Sequence, residues 1–252
     1  MTTSLLLVRG LYKRYGGLVV TNNVDLDVAS GEVHALIGPN GAGKTTLLGQ
    51  LTGNLPNDAG KIYFDGCDIT GLPTHSRARL GLGRSFQITS IFHELTVLEN
   101  VMFAVQVQSG HSFRFWRPVE DSQKLVTPAM ALLDRVGLAD HASLTAANLS
   151  HGQHRQLEIA IALACKPKLL LLDEPMAGMG IEDSARLTKM LQAMKGSVAM
   201  LLVEHDMTAV MALADRISVL VYGQRVVTGT PAEIRAHPEV RKAYLGDGGL
   251  SS

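Results

Sequence analysis

Cysteine is almost missing from this chain: Cys67 and Cys165 are the only two in 252 residues. They lie far apart and outside any C-x-x-C spacing, which excludes a disulfide scaffold and fits a reducing compartment. Both read as small buried apolar residues. An excess of one charge is missing too. Lys plus Arg and Asp plus Glu number 23 each, so there is no basic footprint for nucleic-acid binding through phosphates. No uninterrupted apolar run reaches the roughly 18 to 20 residues of a membrane span. The opening Met1-Thr2-Thr3-Ser4-Leu5 has no charged region before its short apolar run, and no secretory leader is expected. Internal repeats and low-complexity tracts are absent.

What is present is enough chain for a large α/β core carrying a smaller appended domain. Leu5-Leu6-Leu7-Val8 and the alternating Val24-Asp25-Leu26-Asp27-Val28 read as strands, with Gly16-Gly17 and Ser30-Gly31 as turns. Lys61-Ile62-Tyr63-Phe64 followed by Asp65-Gly66 reads as a hairpin. These are antiparallel elements beside a larger core. Between about 95 and 165 apolar residues recur at helical spacing, as in Val97, Val101, Ala104 and Val105, and a helical subdomain is expected. Strand patterns return at 169–172, 198–203 and 217–221, with a helix at about 183–194, which predicts a parallel sheet. Thr230-Pro231-Ala232-Glu233 is a capping box with proline at the first helical position, so a short helix follows.

The chemistry enters at Gly38-Pro39-Asn40-Gly41-Ala42-Gly43-Lys44-Thr45, a full match to the phosphate-loop pattern G-x-x-x-x-G-K-[ST]. Val33-His34-Ala35-Leu36-Ile37 reads as the buried strand feeding it, and 45–52 as the helix leaving it, stopped by Gly53. Glycines let successive N–H groups turn toward phosphates, and the helix N-terminus adds partial positive charge. Lys44 is expected to hold the β- and γ-phosphates and the Thr45 hydroxyl to ligate Mg²⁺.

A second apolar strand ends in Asp173-Glu174, two acids at the carboxyl edge of a parallel sheet. Asp173 would complete the metal site, and Glu174 could act as general base toward the attacking water. The strand at 198–203 ends in Glu204-His205-Asp206, where the imidazole of His205 could reach the γ-phosphate or its water. Gln87 sits where the core gives way to the helical block, and its amide could complete or sense the metal shell. Ser150, with Gln153 three residues on, is placed to cap a helix through Leu157 and Leu163. An exposed helix start of that kind offers N–H groups and a hydroxyl to an anion. Since the chain already has a phosphate loop, this second end would serve another molecule's nucleotide.

These motifs, in this order, resemble the ATP-binding subunits of ABC transporters over nearly the whole chain. The matches are the phosphate loop, Gln87 as the Q-loop, Leu149-Ser150-His151-Gly152-Gln153 as the signature, Asp173-Glu174 as Walker B and His205 as the switch histidine. Tyr15 matches the aromatic that stacks on adenine. Gly81-Leu82-Gly83-Arg84-Ser85-Phe86-Gln87, Leu95-Thr96-Val97-Leu98-Glu99-Asn100 and the tail from Gly229-Thr230-Pro231 to Tyr244-Leu245-Gly246 are similar to the branched-chain amino acid importer group, with its urea, amide and aromatic-acid relatives.

The resemblance implies a P-loop NTPase fold: a RecA-like α/β core with an antiparallel β-subdomain, at 1–88 and 166–252, and a helical subdomain at 89–165. It implies ATP and Mg²⁺ as ligands. Nucleotide contacts would come from Tyr15, Gly38, Pro39, Asn40, Gly41, Ala42, Gly43, Lys44, Thr45 and Thr46, and from Ser150, Gly152 and Gln153 across a head-to-tail pair. The metal would sit at Thr45, Gln87 and Asp173, and hydrolysis would rest on Glu174, His205 and Gln87. The implied partners are polytopic membrane permease subunits, a second ATPase chain of the same or a related kind and, indirectly, a solute-binding protein. No nucleic acid is expected. The implied place is cytoplasmic, peripheral at the inner face of the cell membrane.

Two positions depart from the family pattern. His151 replaces the first glycine of L-S-G-G-Q, putting a ring where backbone must approach a phosphate. Gly180 stands where the D-loop usually has an acid or amide. The Ser112-Phe113-Arg114-Phe115-Trp116-Arg117-Pro118 segment reads as a packed loop. Two further readings stay open on the sequence: a soluble ABC-type ATPase, and a cassette with a degenerate signature that binds ATP only to regulate a partner.

Overall fold

The computed structural model describes residues 4–84, 91–108, 120–238 and 240. Contacts divide the chain into two compact units: one takes in the chain up to Leu82, Lys168–Glu174 and the chain from Met194 on; the other is Gly83–Pro167 and Pro175–Ala193.

There are two sheets, and apart from Gly83 and Arg84 of one edge strand their residues belong to the first unit. β1 (Ser4–Tyr15), β2 (Leu18–Ala29), β4 (Ala59–Phe64) and β5 (Cys67–Asp68) form an antiparallel sheet in the order β2-β1-β4-β5. Alternation drives it: Leu6, Val8, Leu11, Val24, Leu26 and Val28 all point inward. β1 and β2 are longer than the sequence predicts, because bulges between Val8 and Leu11 and on to Arg14 carry the pairing out to Tyr15. The second sheet holds β3 (Val33–Ile37), β6 (Leu82–Arg84), β7 (Leu169–Asp173), β8 (Ala199–Val203), β9 (Arg216–Val221) and β10 (Gln224–Gly229), in the order β10-β9-β3-β8-β7-β6. Its centre is parallel, β3 pairing with β8 and β9 and β7 with β8. The central strands are buried on both faces, which explains their continuous apolar runs.

α1 (Lys44–Thr52) ends at Gly53, φ 80°, as the sequence predicts. α2 (Thr74–Arg79) supplies Arg77, which is buried and donates to Gln50 O and Leu51 O, both at 2.7 Å, so that its cation closes the negative end of α1.

The second unit carries α3 (Val97–Gln108), α4 (Glu120–Arg135), α5 (His151–Ala164) and α6 (Ile181–Ala193). Val97, Val101, Leu133, Val136, Leu157 and Ile159 are buried. The sequence places this block at 89–165; contacts start it at Gly83 and add 175–193, because α6 packs against α5. α7 (Met207–Leu213) and α8 (Pro231–Ala236) return to the first unit, α8 with the capping box of Thr230 and Glu233. One expectation is corrected. Cys67 and Cys165 are exposed, Cys67 at the start of the short edge strand β5 and Cys165 at the C-cap of α5. Among the described residues no helix is long and apolar enough to cross a membrane.

Candidate functional site

At the carboxyl edge of the parallel sheet β3 runs into the glycine loop, and α1 starts at Lys44. Two of the loop's glycines are fixed by space. A Cβ on Gly38 would lie 2.1 Å from the Leu220 carbonyl oxygen, and one on Gly43 2.4 Å from that of Val20. Gly43 also holds φ 99°, in the left-handed region that L side chains avoid. The β9–β10 turn clamps the loop, Gly223 N donating to Ala42 O at 3.0 Å.

Among the described residues no side chain caps α1. The N–H groups at Lys44, Thr45 and Thr46 have no partner within the helix, and the helix dipole adds positive potential there. Lys44 is buried and folds over the loop, its Nζ donating to Gly38 O at 2.7 Å and Pro39 O at 3.2 Å. That leaves one of three ammonium donors for a ligand. Burial holds its pKa below the usual range, against the pull of Glu174 and Asp173. Asn40, Gly41 and Thr45 are exposed. Uncapped donors, a buried cation and a backbone packed too tightly for side chains fit a polyphosphate.

The acids arrive two strands over, on the far side of β8. Val203 of β8 pairs with Leu36 of β3 on one side and Asp173 of β7 on the other. Glu174 follows at φ 45°, its N–H donating to Val203 O at 2.8 Å. A left-handed glutamate is strained by about 1 kcal/mol or more, a condition that clusters at functional sites. His205 comes just after β8 with a side chain 62% exposed. Asp206 then caps α7, accepting from Thr208 N at 2.9 Å and Ala209 N at 3.3 Å. The exposed Thr45 hydroxyl and the Asp173 carboxylate, at the ends of neighbouring elements of one edge, are the oxygen donors Mg²⁺ prefers.

Sequence reasoning missed two supports. Glu204 is fully buried beside His205, signalled only by its place at the end of an apolar strand. Tyr15 is half exposed at the end of β1, and Lys13 Nζ lies 5.5 Å from its ring centroid while pairing with Asp58 at 2.8 Å. That cation supports the ring electrostatically.

Ser150, Gly152 and Gln153 lie in the second unit. Ser150 Oγ accepts from Gln153 N at 3.3 Å, and Gln153 Oε1 accepts from Ser150 N at 2.9 Å, completing a capping box. Gln153 Nε2 reaches His141 Nε2 at 3.0 Å. Gly152 is buried against Asp183, whose side chain a Cβ would meet at 3.0 Å. The His151 ring turns toward the Ala177 carbonyl, Nε2 to O 3.2 Å. Around Gly180 a Cβ would meet nothing within 4 Å. Gln87, the Phe113 to Trp116 segment and the tail at 243–246 lie outside the described residues.

Comparison with known proteins agrees with this geometry. The family model described as ABC transporter matches residues 21–177, and that described as branched-chain amino acid ATP-binding cassette transporter matches 224–249. The high-affinity branched-chain amino acid transport ATP-binding protein LivG of Salmonella typhimurium is 40% identical over 254 residues, covering 98% of this chain and 100% of that protein. BraF of Pseudomonas aeruginosa, of the same description, is 39% identical with the same coverage. Among solved structures, the ADP conformation of an ATP-binding cassette of an ABC transporter superposes with a TM-score of 0.85 at 29% identity, covering 98% of this chain and 100% of that one.

Proposed function

The chain belongs to the ABC transporter family of ATP-binding proteins, and from that premise we propose that it is the ATP-hydrolysing subunit of an importer for branched-chain or related amino acids. The observation that carries the reading is the uncapped start of α1 behind a close-packed glycine loop, with Lys44 buried against the loop and Asp173-Glu174 two strands over on the same sheet. The C-terminal match at 224–249 and the near-complete alignment to LivG and BraF favour an importer over a soluble, non-transport ATPase.

In this reading the backbone N–H groups of the loop and the Lys44 ammonium hold the β- and γ-phosphates, and Tyr15 stacks on adenine. Thr45 and Asp173, with Gln87, would hold Mg²⁺, which when bound would offset the negative charge of the phosphates. Glu174 takes a proton from the water that attacks the γ-phosphorus while the bond from that phosphorus to the β–γ bridging oxygen breaks and ADP leaves, and His205 steadies the transferred group. Ser150, Gly152 and Gln153 meet the nucleotide of a second ATPase chain in a head-to-tail pair. The permease subunits anchor the chain at the inner face of the membrane.

Glu174→Gln keeps a side chain of the same shape but removes the base. ATP binding should stay within about twofold while turnover falls by roughly 10²-fold or more. Wild-type turnover in that variant removes Glu174 from the role. Purification from gently solubilised native membranes should bring polytopic subunits with the chain, and its recovery alone would refute the importer reading.

A further inference from the structure

Glu204 is a carboxylate with no exposed surface, next to a histidine whose side chain is 62% exposed. Burying an ionisable group costs free energy unless its oxygens are satisfied. Here one oxygen, Oε2, accepts from two successive backbone N–H groups, His205 N at 2.9 Å and Asp206 N at 3.3 Å. The same oxygen lies 3.7 Å from His205 Nδ1. The chain must turn sharply here, since β8 ends at Val203 and α7 begins at Met207 with Asp206 as its cap. Val203 also accepts the N–H of Glu174 at 2.8 Å. The carboxylate therefore grips the one short turn that carries His205, starting from the residue that fixes Glu174.

We infer that Glu204 is a positioning residue for His205: its buried carboxylate ties down the backbone of the turn and faces the δ-nitrogen, so that the ε-nitrogen of the ring is presented to the γ-phosphate. The inference rests on reading His205 as the group that meets that phosphate. Glu204 itself touches no substrate. A threonine offers one hydroxyl without charge. A glutamine can keep an oxygen on both N–H groups but loses the charge beside Nδ1.

The test is a double-mutant cycle on the full chain, in the assembly purified from its host membrane, with kcat and KM for ATP measured for Glu204→Ala, Glu204→Gln, His205→Ala and Glu204→Ala with His205→Ala. Glu204→Ala should lower kcat by roughly 10-fold with KM within about twofold, and Glu204→Gln should recover part of the loss, since residues acting as a unit are non-additive. In the His205→Ala background the Glu204→Ala change should have no further effect. Losses that multiply overturn the inference, because a merely structural carboxylate acts whether or not the imidazole is present. If Glu204→Ala fails to fold, Glu204→Gln closes the same cycle.

Amide hydrogen exchange gives a readout that needs no turnover. The His205 and Asp206 N–H groups should exchange at least about 10-fold faster in Glu204→Ala than in the wild type, in line with loss of a charge-assisted bond. Unchanged exchange overturns the inference by itself. If His205→Ala turns over at the wild-type rate, the reading of His205 fails, and exchange at those two amides then decides whether Glu204 holds the turn.

Discussion

The starts of α1 and α5 are both helix N-termini in sequence contexts that point to phosphate, yet they are built in opposite ways. α1 has no side-chain cap, and its first N–H groups are left for a ligand. α5 is closed by its own residues, Ser150 Oγ taking the Gln153 N–H and Gln153 returning the bond to Ser150 N. The first is a cradle made of backbone, in which Gly38 and Gly43 lie against carbonyl oxygens that leave no room for a methyl group. The second is partly made of side chains: its capping box takes the Ser150 and Gln153 N–H groups and leaves the Ser150 hydroxyl proton and the His151 and Gly152 N–H groups. A backbone cradle tolerates almost no substitution, whereas a side-chain one tolerates what its geometry can turn aside.

The largest effect should separate two glycines of one loop. Gly43→Ala combines φ 99° with a Cβ 2.4 Å from Val20 O, whereas Gly41→Ala has φ 78° with nothing within 4 Å. Gly41→Ala should cost about 1–2 kcal/mol, the strain of a left-handed residue. Gly43→Ala should cost more than that and weaken ATP binding by roughly 10²-fold or beyond, since backbone must move. Equilibrium titration with a fluorescent ATP analogue reads both. Equal losses at the two positions would break the claim that close packing, rather than backbone conformation alone, shapes the cradle.

Much of this contrast was legible beforehand. The strand at Val33–Ile37, the helix stopped at Gly53 and the Ser150–Gln153 cap all follow from local patterns, because burial and capping depend on neighbours in sequence. The spatial reasons for Gly38 and Gly43 were not, since Leu220 and Val20 are far away in the chain. The same holds for Arg77 closing α1, and although Lys13 is a near neighbour of Tyr15 in sequence, the Asp58 that pairs with it is not. The burial of Glu204 depends on its being surrounded in three dimensions, which an E-H-D tripeptide does not announce. The exposure of Cys67 and Cys165 went the other way, because apolar character does not decide whether a residue falls on an edge strand or a helix end.

The cradle also depends on the far end of its sheet. Glu32, just before β3, accepts from Arg216 Nε at 2.6 Å and from Ala29 N at 2.6 Å, and Arg216 also reaches Asp27 Oδ2 at 2.7 Å. This holds β3 and β9 in register, and it is Leu220 of β9 that confines Gly38. Burial opposes the Glu32 charge, but His34, Arg216 and the Ala29 N–H outweigh it and bring its pKa from 4.5 down to about 2. A folded pKa below the unfolded one means stability present above pH 4.5 and lost as pH falls toward 2. Glu32→Gln should lower stability by roughly 1–3 kcal/mol at neutral pH. Its Tm should converge on that of the wild type as pH falls through that window; a constant gap would show that the network does not act through this charge.

A smaller effect distinguishes a cap from a cap that also meets phosphate. Ser150→Ala removes the cap at a cost of about 1 kcal/mol, whereas aspartate caps as well as serine does. Ser150→Asp should therefore keep the wild-type Tm. Its carboxylate would face the γ-phosphate of a second chain, so turnover should fall by roughly 10-fold, more than in Ser150→Ala. If the aspartate restores turnover along with stability, the start of α5 is a helix cap and nothing further, and the contrast with α1 becomes one between a site and a structural end.

The smallest effect is expected at His151, where the family pattern has glycine. The ring is exposed and turned onto the Ala177 carbonyl at 3.2 Å, and a Cβ on Gly178 would lie 3.5 Å from its Nε2. Neither contact involves the Ser150 hydroxyl or the capping bonds, so the aromatic occupies the signature without closing it. His151→Gly removes one exposed hydrogen bond and adds the weak helix propensity of glycine at the first helical position, together about 1 kcal/mol. Turnover should stay within about threefold or rise, with KM for ATP unchanged. A collapse of kcat would mean that the tie between His151 and Ala177 is part of the working site. The start of α5 would then be as intolerant of change as the glycine loop, for a reason carried by a side chain instead of by packing.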